Sequence, residues 1–391
     1  ILLGEYPFKD YWIVSGPFVD YLQAVFFYFF GINWQSYVLH ASVVNAILTM
    51  ATYVVLRNFK LNIYYSLIYS LLFSILAYPS SGTPFVDHHS AFFSLLGIYS
   101  LILAIKSEKK LHWILLPIFF GFAFLSKQVP SLYIIMCVIF ILSFFSLLQG
   151  KFYWIKYSFL GTILFILFLL ILGKMQGINL SSFLEQYIFY PPTIAQQRFE
   201  NFNFTFRGVV DHFKFIYLAF IPLFYINLKK IFSDKNYFKQ KDFYYFLCLL
   251  LLTSSLIFHQ LLTRNQTFIF FLIPILVAFS HISLNVYKLN LTNPVYIIII
   301  SFCLFATIKY HLRFNEDRKF HELNYVNFEL SSYAKKIDKK LTGLKWITPK
   351  FKNYPNEEII LINEAKTYLY NDHRNKMVMT NYSFFSVILD Q

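Results

Sequence analysis

The chain has 391 residues, of which 57% are hydrophobic, 21% aromatic and only 14% charged. Soluble globular chains carry about a quarter charged residues, so this deficit and the long apolar runs exclude an ordinary soluble domain and point to an integral membrane protein. The formal net charge of +14 is no sign of nucleic acid, because much of it lies in short loops between apolar runs and in the C-terminal stretch, where membrane orientation explains the loop share.

The chain opens with ILLGEYPFKDYWIVSGPFVDYLQAVFFYFFG. It lacks an initiator Met, and we expect an upstream span to be missing. Lys9 and Asp10 stand just ahead of an amphipathic run, 17–31, that is broken by Gly16-Pro17 and ended by Gly31. This run reads as a helix lying at the membrane interface. Residues 1–35 therefore form a first loop with an interfacial helix.

About ten transmembrane candidates follow, each near the roughly twenty residues a bilayer requires. They are 36–56, 63–79, 88–106, 112–127, 129–148, 153–173, 214–228, 243–260, 266–287 and 294–310. Lys and Arg fall mostly in alternate loops. The richer set is Arg57 and Lys60, Lys106, Lys109 and Lys110, Lys151 and Lys156, then Lys229, Lys230, Lys235, Lys239 and Lys241, and Lys288. The poorer set is Lys127, Lys174, Arg198, Arg207 and Arg264. The positive-inside rule makes the richer set cytoplasmic. The first loop, residues 80–87, the bends near 127 and 263, the long loop 174–213 and the tail then face outward. Cys137, Cys248 and Cys303 lie in apolar runs without paired spacing and read as small buried hydrophobes.

Polar groups near membrane depth are costly and mark function when they converge. His40 lies near the outer end of its span. Residues 79–90, PSSGTPFVDHHS, bring Asp87, His88 and His89 to another outer end. An N-cap role for Asp87 is the plain reading; a divalent metal held by Asp87 with His88 or His89 is the alternative. Neighbours on a helix point about 100° apart, so both histidines on one metal is disfavoured. Lys127, in the tight bend FLSKQVPS, is placed either to snorkel or to meet an anionic headgroup or phosphate. The bend FHQLLTRNQTF carries His259, Gln260 and Arg264, and Arg suits bidentate phosphate recognition. The aromatic loop 174–213, with its Pro191-Pro192 break, reads as short interfacial helices capping a cavity.

Residues 311–391 differ in pattern. Helix-like 328–341, strand-like LKWIT (344–348), helix-like 357–371 and strand-like KMVMT (376–380) predict a small α/β domain, expected to be incomplete in this sequence. The fold class is thus an all-α polytopic membrane domain, 1–310, followed by a C-terminal soluble α/β domain, 311–391.

Pro7, Phe8, Asp10, Gly16, Pro17, Tyr21 and Phe30-Gly31 resemble the segment after the first transmembrane helix in GT-C glycosyltransferases. The nearest kin are bacterial relatives of protein O-mannosyltransferases and of the lipid A aminoarabinose transferase. FLSKQVPS is similar to their Leu-Thr-Lys bend, and LTRNQTFIFFLIPILVAF to their late Arg-to-Pro helix start. The resemblance covers most of 4–310 and implies transfer of a sugar from a polyprenyl-phosphate donor to a lipid, glycan or protein acceptor outside the membrane. It implies a multi-pass protein of the bacterial inner membrane, with active site and tail periplasmic. It places the principal catalytic acid upstream of Ile1 and leaves Asp10 as the nearest outer acid, with Asp87 where some relatives carry a second. Lys127 and Arg264 then face the departing phosphate, with Lys9, His40, His88, His89, His259 and Gln260 as further substrate contacts. A polymerase or ligase acting on lipid-linked glycan is the main alternative. A lipid or sugar transporter ranks below it, because ionisable residues are scarce away from the rims and no internal repeat is visible.

Overall fold

In the computed structural model, residues 1–78, 82–194, 205–263, 268–285, 294–317, 323, 326–372 and 388 are described. The chain divides into two compact units, Ile1–His311 and Leu312–Gln391.

The first unit is helical. Its described helices are α1 (Pro17–Phe30), α2 (Trp34–Asn58), α3 (Ile63–Ala77), α4 (Val86–Ser107), α5 (Lys110–Ser126), α6 (Gln128–Gln149) and α7 (Tyr153–Gln176). They continue as α8 (Leu180–Phe183), α9 (Lys214–Ser233), α10 (Lys241–Thr263), α11 (Leu272–Asn285) and α12 (Pro294–His311). Seven of these, α2, α4, α6, α7, α9, α10 and α12, are long and apolar enough to cross a membrane, which makes this a polytopic membrane protein. The other three expected spans are shorter helices: α3 has 15 residues, α5 has 17 and α11 has 14.

Local sequence sets the helix starts. Asn33 accepts the Ser36 N–H at 2.9 Å to cap α2, and Asn62 accepts the Tyr64 N–H at 2.9 Å to cap α3. Gly16 precedes α1 at φ 82°, and a Cβ there would sit 2.5 Å from Val86 Cγ1. A side chain at this position is excluded by conformation and by space. The start of α1 therefore lies directly against the start of α4.

α4 is the central helix. In its most apolar stretch 78% of residues are buried, and it packs on α2, α5, α6 and α10. α7 is peripheral, with 6% of the equivalent stretch buried, and it docks on α5. Gly161 makes that docking close, since a Cβ there would lie 2.1 Å from the Ile114 carbonyl oxygen.

At one end of the bundle Glu108 accepts from Lys151 at 2.9 Å and pairs with Lys241 at 3.1 Å. Lys241 also donates to the Lys106 carbonyl, and the Lys106 ammonium lies over the Phe59 ring. Lysines of three sequence-separated segments thus gather at the end where α4 finishes.

Part of the loop after α7 is described. α8 runs on through a π-helical stretch, Leu184–Phe189. Within it Gln186 accepts from Ile13 N–H at 3.0 Å and donates to the Phe8 carbonyl at 3.3 Å. Phe8 packs edge to face against Phe183 and Tyr187, which stack on each other. The first segment and the long loop hold each other in place.

In the second unit the expected helix 328–341 does not form. Short turns at Phe328–Leu330, Ala334–Lys336 and Lys339–Leu341 replace it. Asn327 accepts from Glu329 N–H and Asp338 from Lys340 N–H, both at 3.0 Å. Such side-chain bonds offer the backbone an alternative to the helix ladder. The strand-like run 344–348 contracts to Lys345–Trp346, paired antiparallel with Ser332–Tyr333. Helix α13 (Pro355–Asn371) carries Glu358, a buried acceptor for Trp346 Nε1 and Thr348 Oγ1. The run 376–380 lies outside the described residues.

Candidate functional site

At the end of the bundle where α4 begins, ionisable side chains from α2, α4, α10 and the α5–α6 bend meet in apolar surroundings. The first turn of α4 organises them. Its N-cap is Phe85, which makes no side-chain cap bond. Asp87 is not spent on capping: its carboxylate turns to the neighbouring helices, Oδ2 lying 2.6 Å from Lys127 Nζ and Oδ1 lying 2.9 Å from His259 Nε2. Asp87 and His259 are fully buried, and the Lys127 side chain keeps 15% exposure. A carboxylate out of water is tolerated only with such partners.

Lys127 reaches Asp87 because the backbone breaks there. It is the extended residue between α5 and α6, at φ −163°, ψ 139°. Its carbonyl accepts from Ser90 Oγ at 3.0 Å and Ser131 Oγ at 2.8 Å, so the break leaves that oxygen satisfied. The next residue, Gln128, donates to the Val14 carbonyl at 2.7 Å and the Tyr187 carbonyl at 2.9 Å. The bend is thereby tied both to the first segment and to the long loop.

The three consecutive side chains of the α4 turn fan apart. His88 accepts the Phe268 N–H at Nε2, 3.1 Å away, and stacks on Phe92. His89 turns toward α2: its Nε2 is 3.0 Å from His40 Nε2, and its Nδ1 is 3.0 Å from the Phe85 carbonyl. His40 Nδ1 in turn lies 2.9 Å from the Gln23 amide on α1. Both Asp87 oxygens, both His89 nitrogens and His88 Nε2 have protein partners, and the three residues do not converge on one point. Among the described residues no group of three or more His, Cys, Asp or Glu side chains is placed to hold a metal ion.

Lys9 and Asp10 stand apart from this cluster in their contacts. The Asp10 carboxylate accepts the Tyr6 N–H at 2.8 Å and lies 3.7 Å from Lys9 Nζ, in an exposed turn. Gln260 is buried beside His259 on α10. Arg264 lies outside the described residues, directly after α10.

Sequence reading passed over Asp20. It sits on α1, half-buried, outside the seven spans, and burial pushes its carboxyl up to about 6. Burial also pushes the Tyr11 hydroxyl up to about 12, with the Asp20 charge adding to it. It also passed over Gln23, Gln128 and Gln186, the amides that tie the site together. The signal that finds them is an uncharged polar residue whose burial needs a hydrogen bond.

A groove of about 480 Å³ runs between α6 and α10. Tyr133, Met136, Cys137 and Phe140 line one side, and Leu251, Ser254, Ser255 and Phe258 the other. Phe258, on one wall of this apolar groove, directly precedes His259 on α10.

Residues 14–171 match the family model described as dolichyl-phosphate-mannose-protein mannosyltransferase. The matched stretch contains His40, Asp87, His88, His89 and Lys127; Lys9 and Asp10 precede it, and His259, Gln260 and Arg264 follow it. Comparisons with curated proteins and with solved structures give no match. The family match supports the resemblance to GT-C glycosyltransferases.

Proposed function

We propose that this membrane glycosyltransferase of the GT-C type moves a sugar from a polyprenyl-phosphate donor to an acceptor hydroxyl on the outer face of the membrane. The reading is carried by a Lys ammonium held by a buried carboxylate, together with an apolar groove between α6 and α10 whose wall residue Phe258 is the sequence neighbour of His259. A lipid phosphate has that composition: an anion on an apolar chain. The groove between α6 and α10 suits the chain, and Lys127 with Arg264 suits the phosphate. The gathering of Lys106, Lys151 and Lys241 at the opposite end supports an outward orientation for the site.

In the transfer, the acceptor oxygen bonds to the anomeric carbon while the bond from that carbon to the phosphate oxygen breaks. The lipid phosphate leaves with both electrons, and the acceptor proton passes to a base. Negative charge grows on the phosphate, so cations already aimed at it stabilise the transition state. Asp87 contributes by fixing the Lys127 ammonium and the His259 ring. For the base the chain offers Asp10, in its exposed turn, and Asp20, whose carboxyl at about 6 is suited to proton abstraction near neutral pH.

Purified protein in lipid nanodiscs, given radiolabelled sugars on undecaprenyl phosphate and extracted envelope lipids or glycans, tests this. Transfer is expected, and Lys127→Ala or Arg264→Ala should lower it by about a hundredfold. Absence of transfer from every such donor, with movement of unmodified lipid across the bilayer instead, would favour a transporter.

A further inference from the structure

The histidines beside Asp87 are joined in a chain whose hydrogen positions follow from its two ends. The Phe85 carbonyl can only accept, so His89 carries its hydrogen on Nδ1. A neutral His89 then offers a lone pair at Nε2, and His40 must donate from its own Nε2 across the 3.0 Å gap. His40 Nδ1 is left as an acceptor and requires a donor from Gln23.

As placed, Gln23 Oε1 faces His40 Nδ1 at 2.9 Å, while Gln23 Nε2 is buried without a hydrogen-bond partner. That arrangement sets two lone pairs against each other between the rings, or else traps an extra proton there. Turning the amide by half a rotation about its last side-chain bond removes the opposed lone pairs and gives Nε2 an acceptor, and it leaves Oε1 where Nε2 had stood, an acceptor being the less costly group to leave unpaired. The orientation of an amide is decided by its hydrogen-bond network.

We infer that Gln23, His40 and His89 form a one-way chain of neutral hydrogen bonds, Gln23 to His40 to His89 to the Phe85 carbonyl, that seats the interfacial helix α1 and positions the α4 turn bearing Asp87. All three side chains are buried, so the chain runs in low dielectric, where an unpaired member is costly. Its last link doubles on one atom: the Phe85 carbonyl accepts the His89 backbone N–H and the His89 ring N–H, each at 3.0 Å. The α4 N-terminus has no side-chain cap, and the ring N–H adds a second donor to the carbonyl that opens its hydrogen-bond ladder, holding Phe85 to the turn. Asp87 lies between the clamped residues, and its direction toward Lys127 and His259 depends on them. His40, His89 and Gln23 are positioning residues. Their geometry stands by itself, while their part in sugar transfer rests on the proposed function.

The test uses the whole chain in nanodiscs with ¹⁵N-labelled histidine, the two signals being assigned from His40→Asn and His89→Asn. The expected spectrum has both rings neutral, with hydrogen on Nε2 of His40 and on Nδ1 of His89. Gln23→Glu keeps the size but offers only acceptors, so it should force hydrogen onto His40 Nδ1 and create an imidazolium. Gln23→Met removes the donor and should shift the His259 ring signal as Asp87 loosens. In the same variant kcat should fall about tenfold with the donor KM unchanged, as expected for a misplaced group. An imidazolium in the unaltered protein, hydrogen on His40 Nδ1, or a spectrum changed by removing metal with a chelator would overturn the chain. An unmoved His259 signal in Gln23→Met would overturn the positioning role. If no transfer is seen at all the proposed function fails, and the ring signals still decide this inference.

Discussion

Asp87 and Lys127, forty positions apart in sequence, meet at 2.6 Å with the carboxylate wholly out of water. The pair forms because α5 and α6 break at Lys127 and because α4 begins one residue before the carboxylate.

Asp87→Asn or Lys127→Met alone strands the opposite charge. Each should cost about 3–5 kcal/mol, read as thermal unfolding in detergent. The double variant should recover much of that loss, because no charge is then left unpaired. It should not recover sugar transfer if Lys127 meets the donor phosphate. Simple addition of the two single losses would show that the groups are not coupled.

Asp20 gives the pH dependence. Burial raises its carboxyl from 3.8 to about 6. Below 3.8 the folded and unfolded chains both hold the proton, and Asp20 carries no penalty. Between about 4 and 6 the unfolded chain releases it first, so stability falls with rising pH through that window and levels off above it. Asp20→Asn should therefore stabilise the protein at pH 7 and leave it unchanged below pH 4. Two pKa units set a ceiling of about 3 kcal/mol, which partial exposure reduces. Equal unfolding temperatures for both proteins at pH 7 would contradict this.

The groove between α6 and α10 predicts a dependence on donor length. Cys137→Trp or Ser255→Trp would fill it, the two side chains facing each other at 3.5 Å. The KM for an undecaprenyl donor should rise about tenfold, the equivalent of 1.4 kcal/mol. A donor with a chain of one or two isoprene units should be used as before. An equal effect on both donors would place the chain elsewhere.

Gly161 should tolerate no side chain. A Cβ there meets backbone, the Ile114 carbonyl oxygen, which cannot turn aside. Gly161→Val should cost about 1–3 kcal/mol through forced separation of α7 from α5. Gly173, with open space around it, is the control position, where Ala should be neutral.

Much of the fold was legible because a bilayer imposes one rule on every span. Runs of twenty apolar residues read directly as helices, and only α3, α5 and α11 fall short in length. Within the site, Asp87, Lys127 and His259 were visible as ionisable groups at the ends of apolar runs. Which of them would pair was not visible, since that depends on helices brought together across 172 positions. Gln23 and Gln128 escaped because an uncharged amide looks unremarkable in a row of aromatics. The run 328–341 misled because its Asn and Asp side chains bind local backbone, a preference that hydrophobic spacing does not record.

The first turn of α4 joins four neighbours through three successive residues: Asp87 to the α5–α6 bend and to α10, His88 to the Phe268 backbone, His89 to α2. Those attachments share a single rotational phase. Inserting or deleting one residue between Phe85 and Asp87 would swing each side chain by about 100° and hand it a stranger's socket. Length variation before Phe85 carries no such coupling, and a library of insertions across this region should map the boundary as an abrupt change from tolerance to loss.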